Sequence, residues 1–193
     1  MTGGRAGPAA VAVLVPVKDF QLAKGRLGGA VAEPERVRIA RRMAETVLSA
    51  AADLPVYVAC DDGEVAAWAE AHGAVALTGV PAGLNPAVTD AVARLAAAGV
   101  ERVVVAHADL PRARDLTVVA HGSGVTLVPD RHHDGTNVLS VPSDAGFRFR
   151  YGPGSFRQHH DEAVRLGLPV RVHLDPDLAW DVDVPDDLAA IRP

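Results

Sequence analysis

The sequence predicts an α/β domain with a mostly parallel central sheet covered by helices on both faces. Three observations carry this. Short apolar runs such as Val11 to Val17 alternate with longer stretches of helical periodicity. The residues best suited to chemistry follow the ends of those runs, where doubly wound sheets bind ligands. No Pro/Gly/Ser-rich linker divides the 193 residues, a length that suits one hydrophobic core. The expected organisation is a flexible N-terminus over 1–10 and a single domain over 11–193.

Taken in order, Val11 to Val17 (VAVLVPV) is the first predicted strand, followed by a loop from Lys18 to Gly29. Pro34 opens a helix through about Ala52, with Val37, Ala40, Met43, Ala44, Val47 and Leu48 at helical spacing. Val56 to Cys60 is a strand, Glu64 to His72 a helix stopped by Gly73, and Val75 to Leu77 a short strand. A helix over Pro86 to Ala98 ends at Gly99, and strand Arg102 to Ala106 runs into His107 and Asp109. The second half is less regular. Strands are expected at Val125 to Val128, Val138 to Val141, Val170 to Leu174 and Ala179 to Val182. Phe147 to Tyr151 alternates weakly, Ser155 to Leu166 reads as a helix, and Pro185 opens a terminal helix.

Composition narrows the class. With 49% hydrophobic and 22% charged residues, the chain can bury a core and does not read as disordered. A net charge of -5 argues against general nucleic-acid binding. No apolar run approaches the roughly 18 residues of a membrane span, and Met1 to Ala10 lacks the apolar stretch of a signal peptide. A soluble, cytoplasmic protein is expected. The one cysteine, Cys60, excludes an internal disulfide framework and a Cys-based zinc cluster, and reads as a core residue. Of 19 basic residues only Lys18 and Lys24 are lysines, and no arginine falls between them.

Five segments could carry chemistry. The loop after the first strand places Lys18, Lys24 and Arg26 among glycines, which suits a triphosphate as well as it suits a solvated basic loop. It lacks both the P-loop pattern and a clean G-x-G-x-x-G. Asp109, just past a strand, is either a turn residue before Pro111 or a ligand for Mg2+, which favours one or two carboxylates plus phosphate oxygens. Asp181 and Asp183 share a face if Ala179 to Val182 is a strand, and such a pair needs a cation or water to offset repulsion. In Pro129 to Asn137, Asp-Gly-Thr-Asn is turn chemistry, while the Thr136 hydroxyl could bind an anion; His132 and His133 would point opposite ways in a strand, against a metal site. Ser155 and Gln158 fit a capping box, and a helix start after Gly152-Pro153-Gly154 is also an anion site. Asn85 reads as an N-cap for the following helix, or as a contact to a base or ribose. His107 stays ambiguous between structure and chemistry.

The order VPVKDFQLAKGRL, GLNPAV, HADLP, PDRHHDGTN, FRFRYGPGSF and WDVDVPDDL, spanning Val11 to Leu188, resembles the 2-phospholactate/phosphoenolpyruvate guanylyltransferases of coenzyme F-420 biosynthesis. These are small relatives of the molybdenum-cofactor guanylyltransferases. The resemblance implies a three-layer Rossmann-like nucleotidyltransferase fold. It implies transfer of GMP from GTP to phosphoenolpyruvate, or to 2-phospho-L-lactate, with release of pyrophosphate. It also implies that Asp109 and Asp181 hold Mg2+ with Asp183 assisting, and that Lys18, Lys24 and Arg26 face the triphosphate, with Lys18, Lys24 and Asp109 catalytic. Asn85 would lie near the guanosine, and Thr136, Gly152 and Ser155 would bind the phosphorylated carboxylate. The partners implied are GTP and that small acid, with no nucleic acid and no membrane, in a monomer or homodimer. Transfer to a molybdopterin-like acceptor, a nucleotide-sugar glycosyltransferase and a non-catalytic nucleotide-binding module remain alternatives.

Overall fold

The computed structural model describes residues 10–21, 31–182 and 187. Lys24, Arg26 and Asp183, together with most of the expected terminal helix, lie outside the described residues. Among the described residues the strands are β1 (Val11–Pro16), β2 (Val56–Ala59), β3 (Val75–Leu77), β4 (Arg102–Ala106), β5 (Val125–Pro129), β6 (Thr136–Pro142) and β7 (Val170–Val172). The helices are α1 (Glu33–Ser49), α2 (Gly63–Ala71), α3 (Leu84–Ala97) and α4 (Ser155–Arg165).

The strands form one sheet in the order β3-β2-β1-β4-β6-β5-β7. β6 runs antiparallel to both its neighbours, and every other pairing is parallel. Side chains alternate across each strand, and this builds three layers. Val13, Val15, Val104 and Ala106 pack with Ala44 and Val47 of α1 and Trp68 of α2. Ala12, Leu14, Val103 and Val105 face the other way, onto Val88 and Leu95 of α3 and Ala163 of α4. The near-continuous burial of β1 and β4 follows from helices covering both faces.

Local chemistry explains the helix ends, with differences from the sequence reading. α1 begins with Glu33, Pro34 and Glu35, suited to a helix N-terminus. Asp62 caps α2, its carboxylate accepting the Val65 N–H at 2.9 Å. Asn85 does not cap α3. That position belongs to Gly83, whose φ of 96° only glycine adopts readily, and Asn85 lies inside the first turn. The capping box of α4 is absent for a similar reason. Gly154, at φ 69°, takes the cap position, Ser155 is the first helical residue, and Gln158 Nε2 donates to the Pro153 carbonyl at 3.1 Å.

Neither the weakly alternating Phe147 to Tyr151 nor the expected strand Ala179 to Val182 is a strand. Phe147, Phe149 and Tyr151 are buried and Arg148 and Arg150 exposed, so the alternation is present. The amides, however, are satisfied by side chains. Arg148 N–H donates to Glu162 Oε1 at 3.1 Å, Arg150 N–H to His159 Nε2 at 2.9 Å, and Tyr151 N–H to Asn85 Oδ1 at 2.6 Å. The segment 179–182 is likewise a loop, held by single contacts instead of a ladder. The period-two argument that placed Asp181 and Asp183 on one strand face therefore does not apply.

Candidate active site

The carboxyl ends of β1, β2 and β4 open into two adjoining hollows. One, of about 280 Å³, is lined by Lys18, Phe20, Met43, His107 and Asp109 among others. The second, of about 260 Å³, is lined by Lys18, Cys60, Asp61, Val80 and Gly83 among others. Both share Pro16, Val17, Lys18 and Leu84, so the exposed Lys18 stands between them. The start of the loop after β1 is anchored: Phe20 meets Trp68 edge-on at 4.9 Å, and the Arg41 guanidinium lies 5.2 Å from the Phe20 ring centroid. Cys60 is buried and burial pushes its thiol pKa up, so it lines the second hollow as an unreactive wall.

The loop that carries Asp109 and the segment that carries Asp181 adjoin. Val182 N–H donates to the Asp109 carbonyl at 3.3 Å, joining the loop after β4 to the segment 178–182. That segment is tied down along its length. Asn137 Nδ2 donates to the Leu178 carbonyl at 3.0 Å, and Arg131 N–H to the Ala179 carbonyl at 2.9 Å. The Arg131 guanidinium donates to the Asp181 carbonyl at 2.9 Å and lies 3.3 Å from its carboxylate, while its other nitrogen pairs with Asp187 at 2.5 Å. Trp180 lies beneath both Arg112 (4.1 Å) and Arg131 (4.7 Å). Two carboxylates on adjoining loops fit an ion such as Mg2+, which completes its shell with phosphate oxygens and water. No group of three or more metal-ligating side chains occurs among the described residues.

Thr136, Gly152 and Ser155 gather at the same end of the sheet. Thr136 starts β6 and is buried; the next residue's carbonyl accepts the His107 N–H at 3.0 Å, which sets this end of β6 beside the first hollow. Ser155 N–H donates to the Gly152 carbonyl at 3.0 Å. Asp134 reaches the same helix start. Its carboxylate accepts the Gly154 N–H at 3.1 Å and its carbonyl the Phe156 N–H at 3.0 Å. The Gly154, Ser155 and Phe156 amides at the α4 N-terminus are thus engaged within the fold, with the Asp134 carboxylate on the first of them. The turn reading of 129–137 holds, with Asp130 accepting from the amides of His132, Asp134 and Gly135; His132 and His133 are exposed.

Asn85 belongs to this wall. Its Nδ2 donates to the Tyr151 carbonyl at 3.1 Å while Oδ1 accepts the Tyr151 N–H, so its carboxamide holds backbone. Behind it sit rings: Tyr151 is 5.0 Å from His107 and 4.8 Å from His159. Desolvation lowers the His159 pKa to about 4, and the same burial raises that of Tyr151. His107 Nε2 and the Tyr151 hydroxyl are buried and have no hydrogen-bond partner among the described residues.

Arg131, Tyr151 and His159 were not singled out from the sequence. Arg131 carries a signal in hindsight, because it lies inside the PDRHHDGTN segment next to Asp130. His159 carries none, since a His in a Gln-His-His-Asp run reads as a solvated helix face.

Comparison with known proteins agrees with this architecture. A phosphoenolpyruvate guanylyltransferase from Chloroflexus aggregans is 32% identical over 95% of this chain and 99% of its own. One from Rubrobacter xylanophilus is 34% identical over 94% and 93%. Among solved structures, a protein described as a nucleotide-diphospho-sugar transferase from Desulfovibrio desulfuricans G20 superposes with a TM-score of 0.75 at 18% identity, covering 95% of this chain and 86% of that one. A nucleotidyl transferase from Methanothermobacter thermautotroptrophicus gives 0.63 at 18% identity, covering 95% and 96%. These structures share the three-layer nucleotidyltransferase fold with this chain. The family model described as "Guanylyl transferase CofC like" matches residues 11–192, and the chain belongs to that family.

Proposed function

We propose that this chain transfers GMP from GTP to phosphoenolpyruvate, or to the closely similar 2-phospho-L-lactate, releasing pyrophosphate in coenzyme F-420 biosynthesis. The observation that carries the reading is the joining of the Asp109 loop to the Asp181 segment beside a cleft whose other wall holds Lys18. In this reading GTP occupies the hollows at the ends of β1, β2 and β4, and the acid sits toward Thr136, Gly152 and Ser155.

The chemistry needs no general base. A phosphate monoester has a second pKa near ~6, so its attacking oxygen is already mostly ionised at neutral pH. That oxygen bonds to the α-phosphorus of GTP as the bond to the bridging oxygen breaks and pyrophosphate departs. The protein's task is to bring two polyanions together and hold them in line. Lys18 offsets charge on the triphosphate, and Lys24 and Arg26 extend that role by their place in the same loop. Asp109 and Asp181, with Asp183, would hold Mg2+, whose positive charge lowers the repulsion between the phosphates. Arg131 and Trp180 hold the Asp181 backbone in register. Gly152 and Ser155 shape the acceptor end, and Asn85 fixes it through Tyr151.

The test is pyrophosphate release from GTP and Mg2+ with phosphoenolpyruvate, 2-phospholactate or 3-phosphoglycerate. Release with the first or second is expected. A GTP-binding protein that releases none with any acceptor would refute the reading. Release of nucleoside diphosphate in the presence of a sugar acceptor would make it a glycosyltransferase instead.

A further inference from the structure

α4 turns polar residues inward. Ser155, His159 and Glu162 are 1%, 0% and 6% exposed, at helical spacing on the buried face. Such groups persist in a core only when their hydrogen bonds are made. Glu162 and His159 receive the Arg148 and Arg150 amides. His159 also has a second contact, its Nδ1 lying 3.0 Å from Thr136 Oγ1.

The protonation pattern follows from these two contacts. A backbone N–H can only donate, so His159 Nε2, which receives Arg150 N–H, carries no proton. The neutral ring therefore holds its proton on Nδ1 and donates it to Thr136 Oγ1. The Thr136 hydroxyl, having accepted from His159, must direct its own proton to a different group. The ring has little freedom to change this, being packed against Tyr151 at 4.8 Å and Phe147 at 5.8 Å.

We propose that His159 is a positioning residue for the acceptor: its Nδ1–H fixes the Thr136 hydroxyl as a hydrogen-bond donor toward an anionic oxygen of the phosphorylated acid. This rests on the guanylyltransferase reading given above, with Thr136 at the acceptor. His159 touches no substrate. It acts by excluding the orientation in which Thr136 would present lone pairs, and hence repulsion, to an anion. The arrangement couples acceptor binding to the segment 148–151, because the bond that sets the tautomer comes from Arg150.

The experiment measures KM for phosphoenolpyruvate and for GTP separately in wild type, His159→Phe, His159→Asn, Thr136→Val and the Thr136→Val/His159→Phe double variant. His159→Phe is expected to raise the acceptor KM about tenfold or more while GTP KM stays within about twofold. His159→Asn, whose carboxamide can present an N–H near the place of Nδ1–H, is expected to recover most of the loss. Thr136→Val should match His159→Phe, and the double variant should be no worse than either, as expected when one residue acts through the other. An unchanged acceptor KM in His159→Phe, equal losses in the Asn and Phe variants, or multiplying effects in the double variant would overturn the proposal. Should His159→Phe fail to fold, nitrogen NMR of the wild-type ring decides: an Nδ1–H tautomer supports the proposal and an Nε2–H tautomer overturns it. Wild type that releases no pyrophosphate with any acceptor brings down the guanylyltransferase reading itself, whereas active wild type with indifferent variants brings down only the role of His159.

Discussion

Asn85 and Tyr151 clasp one another across 66 residues of sequence, the carboxamide donating to the Tyr151 carbonyl at 3.1 Å and accepting its N–H at 2.6 Å. A side-chain amide here imitates a strand partner. It ties the first turn of α3, at the rim of the two hollows, to the residue that leads into Gly152 and Ser155.

Replacing Asn85 by Ala should therefore lower stability by about 1–3 kcal/mol, since a part-buried amide and carbonyl lose their partners. Turnover should fall with it, while the preference for GTP over ATP is retained. Chemical denaturation and a comparison of the two nucleotides check this. Loss of the GTP preference with stability unchanged would mean that Asn85 reads the base.

Asp109→Asn should reduce pyrophosphate release by about 100-fold or more with the fold intact, because charge stabilisation of the phosphates is the main catalytic demand. Circular dichroism and thermal unfolding establish the fold. Full activity would remove Asp109 from the proposed Mg2+ site.

Lys18→Ala should raise the GTP KM about tenfold, the scale of one charge-assisted phosphate contact. Arg157→Ala is the control, because its side chain is 89% exposed and its ion pair with Asp161 is 3.8 Å long. Lys24→Ala should behave as Lys18→Ala does. Equal small effects from all three would leave the clustering of the lysines a coincidence.

Acid should destabilise the protein through His159. Its folded pKa, about 4, lies below the unfolded value of 6.5, so the folded state binds fewer protons between these values. The contribution is complete above pH 6.5 and is lost as the pH falls toward 4, amounting to roughly 3 kcal/mol at most at about 1.4 kcal/mol per unit. Glu162 adds in the same direction at lower pH, since its hydrogen bonds with Arg165 hold its carboxyl below the usual range. Denaturant titrations at pH 7 and pH 5 should show the loss in wild type and a smaller one in His159→Gln.

The sequence by itself determined the layers. Continuous apolar runs in β1 and β4 and helical apolar spacing in α1 and α3 are local signals, and burial of the sheet on both faces makes the runs legible. It also put Asp109 just past the carboxyl end of β4, where it lines the first hollow. Only the tertiary structure decided how 145–182 is used. There the backbone is satisfied by side chains from distant elements: Asn85 and His159 serve 150–151, and Asn137 and Arg131 serve 178–181. Such contacts have no period in the sequence. The alternation in Phe147 to Tyr151 was real, but its partner was a helix face carrying His159 and Glu162 instead of a strand. The joining of the Asp109 loop to the Asp181 segment has the same origin. It depends on a loop-to-loop hydrogen bond between residues some seventy positions apart, which chain folding alone creates.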